Sequence, residues 1–421
     1  MFSPLRYEND LLINITKYVK ISTINTLLNN LLINLSKNMN KKIIGAIVAL
    51  AVIVLLVVVF ALSNNREKSQ NISQEQNVQS TGIEEKVYVA LEGEGKVAVL
   101  DPVQKKVLTT IDLTERPGSS VGYMAHNIQV APNGKSVWVT ANAMADNKMG
   151  GGHNEESTEE SMDQVIVIDP STDKIVKRIP ISTDNHLAHV VISPDNKKAY
   201  VTAQEKGLVY TINTATFAIE KTTDLGTGSG PHGLRVSTDG TKAFIALLEG
   251  KALATLDTST GKVQKYPFES GTVQTAVTPD GRYAFVSLYS TKQIARMDIV
   301  TGEIDEINLP AEAKGPVQLY STSDSRFIYV ADQGYYFDQP TSDKVYRISV
   351  DSGTVDQTIL AGSAPHGVVV DSAGKFVYIT NLLSDDMSII DVATGKEVAR
   401  IPVGDMPNGI SIWHRTNGGT P

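Results

Sequence analysis

One phrase occurs seven times in this chain, and it constrains the fold more than anything else in it. An apolar strand ends in Asp, Asn or Ser; a polar turn follows, then a second strand. The copies are VAVLDPVQKK around Asp101, VIVIDPSTDK around Asp169, VYTINTATFA around Asn213, LATLDTSTGK around Asp257, IARMDIVTGE around Asp298, VYRISVDSGT around Ser349 and MSIIDVATGK around Asp391. They lie 41 to 68 residues apart. A recurrence at this spacing signals a repeat architecture whose units cannot bury their faces alone.

A second phrase alternates with the first. APNGKSVWVT, SPDNKKAYVT, STDGTKAFIA, TPDGRYAFVS, TSDSRFIYVA and DSAGKFVYIT each join a tight polar turn to a strand of aromatic and β-branched residues. Helical periodicity is absent from this region. One unit therefore reads as four short antiparallel strands, the content of one propeller blade. From Lys86 the chain supplies three strands without a first, and it ends on NGISIWH, a first strand without successors. Joining the two gives an all-β, seven-bladed β-propeller over 86–415, in which the C-terminal strand completes the N-terminal blade and no sheet edge is left open. The recurrent Asp residues read as turn punctuation, accepting bonds from turn N–H groups.

Composition narrows the function. Across 421 residues the net charge is −8 and there is no cysteine. An acidic chain lacks the broad basic face of a nucleic-acid binder, so no nucleic-acid partner is expected. Disulfides, thiolate metal sites and a cysteine nucleophile are excluded.

Residues 43–62, IIGAIVALAVIVLLVVVFAL, carry no charge. Twenty helical residues span about 30 Å, the thickness of the hydrocarbon core. Lys41 and Lys42 precede the run and acidic residues follow it. The positive-inside rule then puts the N-terminus in the cytoplasm and the propeller outside the cell, as a single-pass membrane protein. Cleavage after Ala61-Leu62-Ser63 is the rival and would make the protein secreted. The domains are thus an extension (1–38), an anchor or signal (39–63), a flexible stalk (64–85) with a sequon at Asn71, the propeller (86–415) and a tail (416–421). MNKKIIGAIV resembles an ordinary secretory N-terminus, so 1–38 reads as upstream sequence, with Met39 as an alternative start.

VYITN (Val377 to Asn381), VWVTAN and AYVTA resemble the strand motif of the YVTN family of β-propeller repeats, and the likeness covers 86–415. That resemblance implies a seven-bladed propeller, often exported or on the cell surface. It implies no single activity. Related propellers include binding proteins, lactonases, and the haem d1 and copper-cluster domains of denitrification enzymes.

The seven blade-opening phrases are MAHN, LAHV, PHGL, VQTA, VQLY, PHGV and PNGI. They line one mouth of the channel with His126, His189, His232, Gln274, Gln318, His366 and Asn408. Counted from the preceding turn, His126, His232, His366 and Asn408 are equivalent, and His189, Gln274 and Gln318 fall one residue later. Neighbours on a strand face opposite ways unless a bulge intervenes, and Gly233, Gly367 and Gly409 suit one. Two insertions, 143–163 (with Met144, Met149, His153 and Met162) and 332–343 (with Tyr335, Tyr336 and Phe337), are expected over the same mouth.

Three functions stay open. The first is an extracytoplasmic binding module taking a surface protein or small molecule at the His-lined mouth. The second is a metal- or cofactor-dependent redox protein or enzyme. Its metal, such as copper, would sit on His126, His232 and His366 with help from His189, His153, Met124 or Met406. The third is a structural envelope protein. No P-loop, HExxH or CxxCH motif marks a catalytic residue.

Overall fold

The structure is a computed structural model and describes residues 84–114, 122–144 and 162–415. The apolar run 43–62, the extension, the sequon, most of the stalk, His153 and the tail lie outside the described residues. Among the described residues, no helix is long and apolar enough to cross a membrane.

Among the described residues, twenty-eight strands form seven antiparallel sheets of four. Six blades use consecutive strands, over 122–182, 187–224, 231–267, 272–308, 316–360 and 365–402. The remaining sheet is composite. Pro407–His414 pairs antiparallel with Glu85–Leu91, and Lys96–Asp101 and Lys106–Asp112 complete that sheet. Pro407–His414 also packs beside the first strands of the 122–182 and 365–402 blades.

The strands have these sequences because each blade is covered on both faces. Middle strands read as unbroken apolar runs rather than alternating ones. Val97, Ala98, Val99 and Leu100 are all fully buried. Tyr88 and Val99 of the composite blade pack with Tyr123, Ile128 and Val139 of the next. Each buried aliphatic side chain contributes about 1.5–3 kcal/mol, so the blade-to-blade seams are the core. Fourth strands such as Ile219–Asp224 are mostly exposed and form the rim. The recurrent Asp residues are turn punctuation, as expected. Asp257 Oδ1 accepts from the amides of Ser259 and Thr260, and Asp298 Oδ1 from those of Val300 and Thr301.

One irregularity recurs in every blade. In each innermost strand the register skips two residues, at 126–127, 188–189, 232–233, 273–274, 317–318, 366–367 and 408–409. Such bulges re-aim side chains and free backbone groups from the ladder. The Thr of the YVT phrase meets that need. Thr202 Oγ1 accepts from the His189 amide at 2.9 Å and donates to the His232 carbonyl of the next blade at 2.7 Å. Thr380 does the same for Gly367 N–H and the Asn408 carbonyl, both at 2.7 Å. Ser287 repeats it with Gln274 and Val317.

Candidate functional site

The bulge brings the two offset sets of polar residues together. His126, His232, His366 and Asn408 hold its first position; His189, Gln274 and Gln318 hold its second. Where the first position is polar, the second is often glycine, for a packing reason. A Cβ on Gly233 would lie 2.4 Å from Gln274 Cα and 2.6 Å from the Val273 carbonyl oxygen. One on Gly409 would lie 2.8 Å from Asn127 Cα.

Inside the ring the side chains form two connected groups. His126, His189 and His232 meet edge to face, with centroids 5.5 to 6.5 Å apart. Gln274 Nε2 lies 3.1 Å from His189 Nε2 and donates to Gln318 Oε1 at 2.7 Å. His232 Nδ1 lies 2.9 Å from the Val273 carbonyl. A carbonyl only accepts, so Nδ1 carries the proton and Nε2 keeps its lone pair. These groups are a buried polar layer across the channel.

The second group faces outward, and much of it was not foreseen. Glu92 comes from the loop after Glu85–Leu91, in the composite blade. Its Oε2 lies 3.5 Å from His126 Nδ1 and accepts from Tyr336 OH at 3.0 Å and from Asn408 Nδ2. Asn408 Nδ2 is also 3.3 Å from His126 Nδ1. His186 packs its ring 5.2 Å from that of His126. Tyr336, in the 332–343 insertion, sets its ring edge-on to His366 at 5.8 Å. Phe337 stacks on Tyr289 at 3.7 Å and anchors that insertion, so this loop does reach the mouth. Gln333 Nε2 donates to His366 Nδ1 at 2.7 Å, which leaves the proton on Nε2. That Nε2 is buried with no partner among the described residues.

Only part of this had a signal in the chain. Glu92 sits in a short LEGEGK turn that looks like any hairpin connection. His186 stands three residues before His189, a spacing that could have been noticed. It adopts φ +46°, in the left-handed region, just before an innermost strand. Gly230 (φ +60°), Ala364 (φ +55°) and Met406 (φ +49°) do likewise before theirs.

Electrostatics separates the carboxylate from the imidazoles. Burial alone would raise the pKa of Glu92. The bond and charge of His126, with help from Asn408 and His366, outweigh it and hold Glu92 at about 2. Burial and the charge of His126 bring His186 to about 4 and His232 and His366 to about 3. Burial drives His189 well below its ordinary value. Near neutral pH Glu92 is thus ionised, while His186, His189, His232 and His366 are neutral.

Among the described residues, no three His, Asp or Glu side chains have the geometry to hold one metal ion. His232 and His366 each commit Nδ1 to a protein partner. Met124 lies two residues before His126 on its strand, Met406 precedes Pro407–His414, and His153 is outside the described residues.

No family model and no curated protein matches the chain. Solved structures share its fold. A protein of unknown function from Desulfotomaculum acetoxidans aligns with TM-score 0.61 at 15% identity, covering 79% of this chain and 99% of that one. Hydrazine synthase from Kuenenia stuttgartiensis aligns with TM-score 0.55 at 18% identity, covering 71% and 90%. A catalytically inactive His-to-Ala variant of virginiamycin B lyase from Staphylococcus aureus, with quinupristin, aligns with TM-score 0.51 at 17% identity, covering 66% and 83%. Identities this low show the seven-bladed propeller fold and nothing of activity.

Proposed function

We propose that this propeller is a binding module whose ligand docks at the mouth formed by Glu92, His126, His186, Tyr336, His366 and Asn408. One observation carries the reading. Among the described residues every side-chain contact of the Glu92 carboxylate goes to Oε2 and none to Oε1, while His366 Nε2–H is a buried donor without a partner there. A lone acceptor on an anion and a lone donor beside it complement an amide. The ligand N–H would bond Glu92 and its C=O would bond His366. Tyr336 touches both residues and, being 39% exposed, borders the entrance. The ligand class is therefore a peptide segment or a small amide.

The composite blade closes the ring on this reading, with Pro407–His414 setting Asn408 beside Glu92. The apolar run 43–62 anchors the module with the propeller outside, in keeping with the YVTN-like strands. The anchor is tested by washing membranes with high salt; protein released into the medium would mean a cleaved signal instead.

The binding test is a thermal-shift and calorimetric screen of short peptides and amides on the detergent-solubilised full chain. Binding to wild type that is lost in Glu92→Gln supports the reading. Equal responses of wild type and variant would sink it, and stoichiometric copper in the purified protein would replace it with a metal site. His126 beside Glu92 also has the form of a base and its orienting carboxylate, which favours an acid–base enzyme as second reading. Hydrolysis or elimination of a bound amide, abolished in His126→Gln, would move the assignment there.

A further inference from the structure

A cavity of about 440 Å3 lies on the other side of the buried polar layer, away from the mouth just described. Asn127 and Gln318, both bulge residues, bound its inner end. Thr238, Pro279, Ser323 and Ser372, from the turns that precede the second strands, bound its outer end. It is the lower half of the central channel.

Arg235 stands in its wall. Its one recorded hydrogen bond is from Nη1 to the carbonyl of Leu234, its own neighbour, at 2.8 Å. It forms no ion pair among the described residues, although Arg296, Arg326, Arg347 and Arg400 each pair with a carboxylate. A guanidinium has five N–H donors, so most of this one is unused. Burial lowers its pKa, opposed by the nearby Tyr320. Tyr320 lines the same cavity, and its hydroxyl has no recorded partner. Ser321, Ser323 and Ser411 add hydroxyls to the wall. The one carboxylate lining the cavity, Asp371, has Oδ1 taken up by the amides of Lys375 and Phe376. Arg235 is half-buried, and among the described residues no carboxylate pairs with it, which leaves its charge uncompensated.

We propose that the lower channel is a second binding site, for a small oxyanion, with Arg235 as its anchor and Tyr320 as a donor beside it. The guanidinium fork suits two oxygens of a carboxylate or phosphate at once, and the cavity admits an organic acid of several carbons or an inorganic anion. The site is independent of the ligand at the opposite mouth.

The test titrates the full chain in detergent with sodium phosphate and with citrate at constant ionic strength, following thermal unfolding and heat of binding. An anion that binds the folded state alone raises the unfolding temperature with concentration. Wild type should show that rise. Arg235→Met should lose it, with affinity at least tenfold weaker, and should be no less stable than wild type in anion-free buffer. Tyr320→Phe should weaken binding several-fold. Arg282→Gln, an exposed arginine with the same change of charge, should bind as wild type does. Phosphate alone binding would assign the site to inorganic anions; citrate alone would assign it to organic acids. Failure of both with wild type would overturn the proposal, as would equal binding by Arg235→Met. If Arg235→Met does not fold, Arg235→Lys and Tyr320→Phe decide, and unchanged affinity in both overturns it.

Discussion

Glu92 Oε2 and His126 Nδ1 lie 3.5 Å apart, although one belongs to the composite blade and the other to its neighbour. The contact exists because two bulges coincide. The skip at 126–127 turns His126 inward, and the skip at 408–409 turns Asn408 toward the same carboxylate. A hairpin residue thereby becomes a half-buried anion with the His126 ring, the Tyr336 hydroxyl and the Asn408 amide around it. The arrangement is testable at each of its parts.

Replacing Glu92 by Gln keeps the volume and removes the charge. The surroundings favour the ionised form, so this change should cost about 1–3 kcal/mol in urea unfolding. Asn408→Asp should cost at least as much, because it sets a second carboxylate against the first. Unchanged stability in both variants would mean that Glu92 is solvated rather than held.

Acid should unfold the protein in two stages. His186, His232 and His366 have folded pKa values below the ordinary 6.5, at about 4, 3 and 3. With a depressed folded pKa the unfolded chain takes up the proton first. Their contribution is complete above 6.5 and is lost as pH falls toward those values, by up to about 1.4 kcal/mol per pH unit for each ring. Glu92 adds a second loss between 4.5 and about 2. Glu85 has the opposite sign. Burial and the charge of Asp371 raise it to about 7, so its term favours folding below 4.5 and is lost as pH rises through 7. Three histidines outweigh one carboxyl between pH 6.5 and 4.5. The urea midpoint should therefore drop from pH 7.5 to pH 5, and His232→Gln should flatten that drop. A midpoint that climbs toward pH 5 would contradict the assignment of neutral rings.

The hydroxyl struts predict a sharp difference between near-isosteric changes. Thr202→Val leaves the buried amide of His189 and carbonyl of His232 without their partner. The expected cost is about 2–4 kcal/mol from two orphaned groups. Thr202→Ser keeps both bonds and should cost under about 1.5 kcal/mol. Equal losses would show that the methyl group, not the hydroxyl, matters there.

The blades were legible in the chain because turn chemistry and strand patterning repeat in register with each other. Asp280 and Asp257 each cap their turn by accepting from the amide two residues on, and Asp195, Asp239 and Asp324 repeat the Asp280 bond in their copies. The polar ring was legible for the same reason, since His232, His366 and Asn408 stand at one place in the repeat. What lay outside the repeat was not. Glu92, Gln333 and Tyr336 come from loops whose reach depends on tertiary packing, and nothing local separates Glu92 from a solvated hairpin acid. The bulge was half visible. Gly233, Gly367 and Gly409 hinted at it, but His189, Gln274 and Gln318 carry it without glycine.

Glycine at the bulge is required by the neighbouring blade rather than by backbone angles. Gly233→Ala would drive a Cβ to 2.4 Å from the Cα of Gln274, and the Gly367 Cβ would lie 2.4 Å from the Asn408 carbonyl oxygen. Backbone contacts cannot rotate away, so each substitution should cost about 1–3 kcal/mol or more. Gly228→Ala meets nothing within 4 Å and carries only the strain of φ +71°, about 1–2 kcal/mol. Urea unfolding of the three variants should rank Gly228→Ala as the mildest; the reverse order would mean that the blades separate easily at the channel.

The composite blade makes the strongest prediction. Deleting 407–421 removes the strand that pairs with Glu85–Leu91, from Glu85 to Leu91 along its length. It also removes Asn408 from Glu92, Ser411 from the amide of Val130, and the Trp413 indole N–H from the carbonyl of Gly134. Glu85–Leu91 would then be a bare apolar edge, with Val87, Tyr88 and Val89 losing their cover. The truncated chain should aggregate or unfold without a cooperative transition. Supplying 403–421 as a synthetic peptide should restore a sharp transition if the strand acts by pairing, because strand addition needs only main-chain bonds and side-chain pockets. A truncated protein that unfolds as cooperatively as the full chain would show that six blades and a three-stranded remnant suffice.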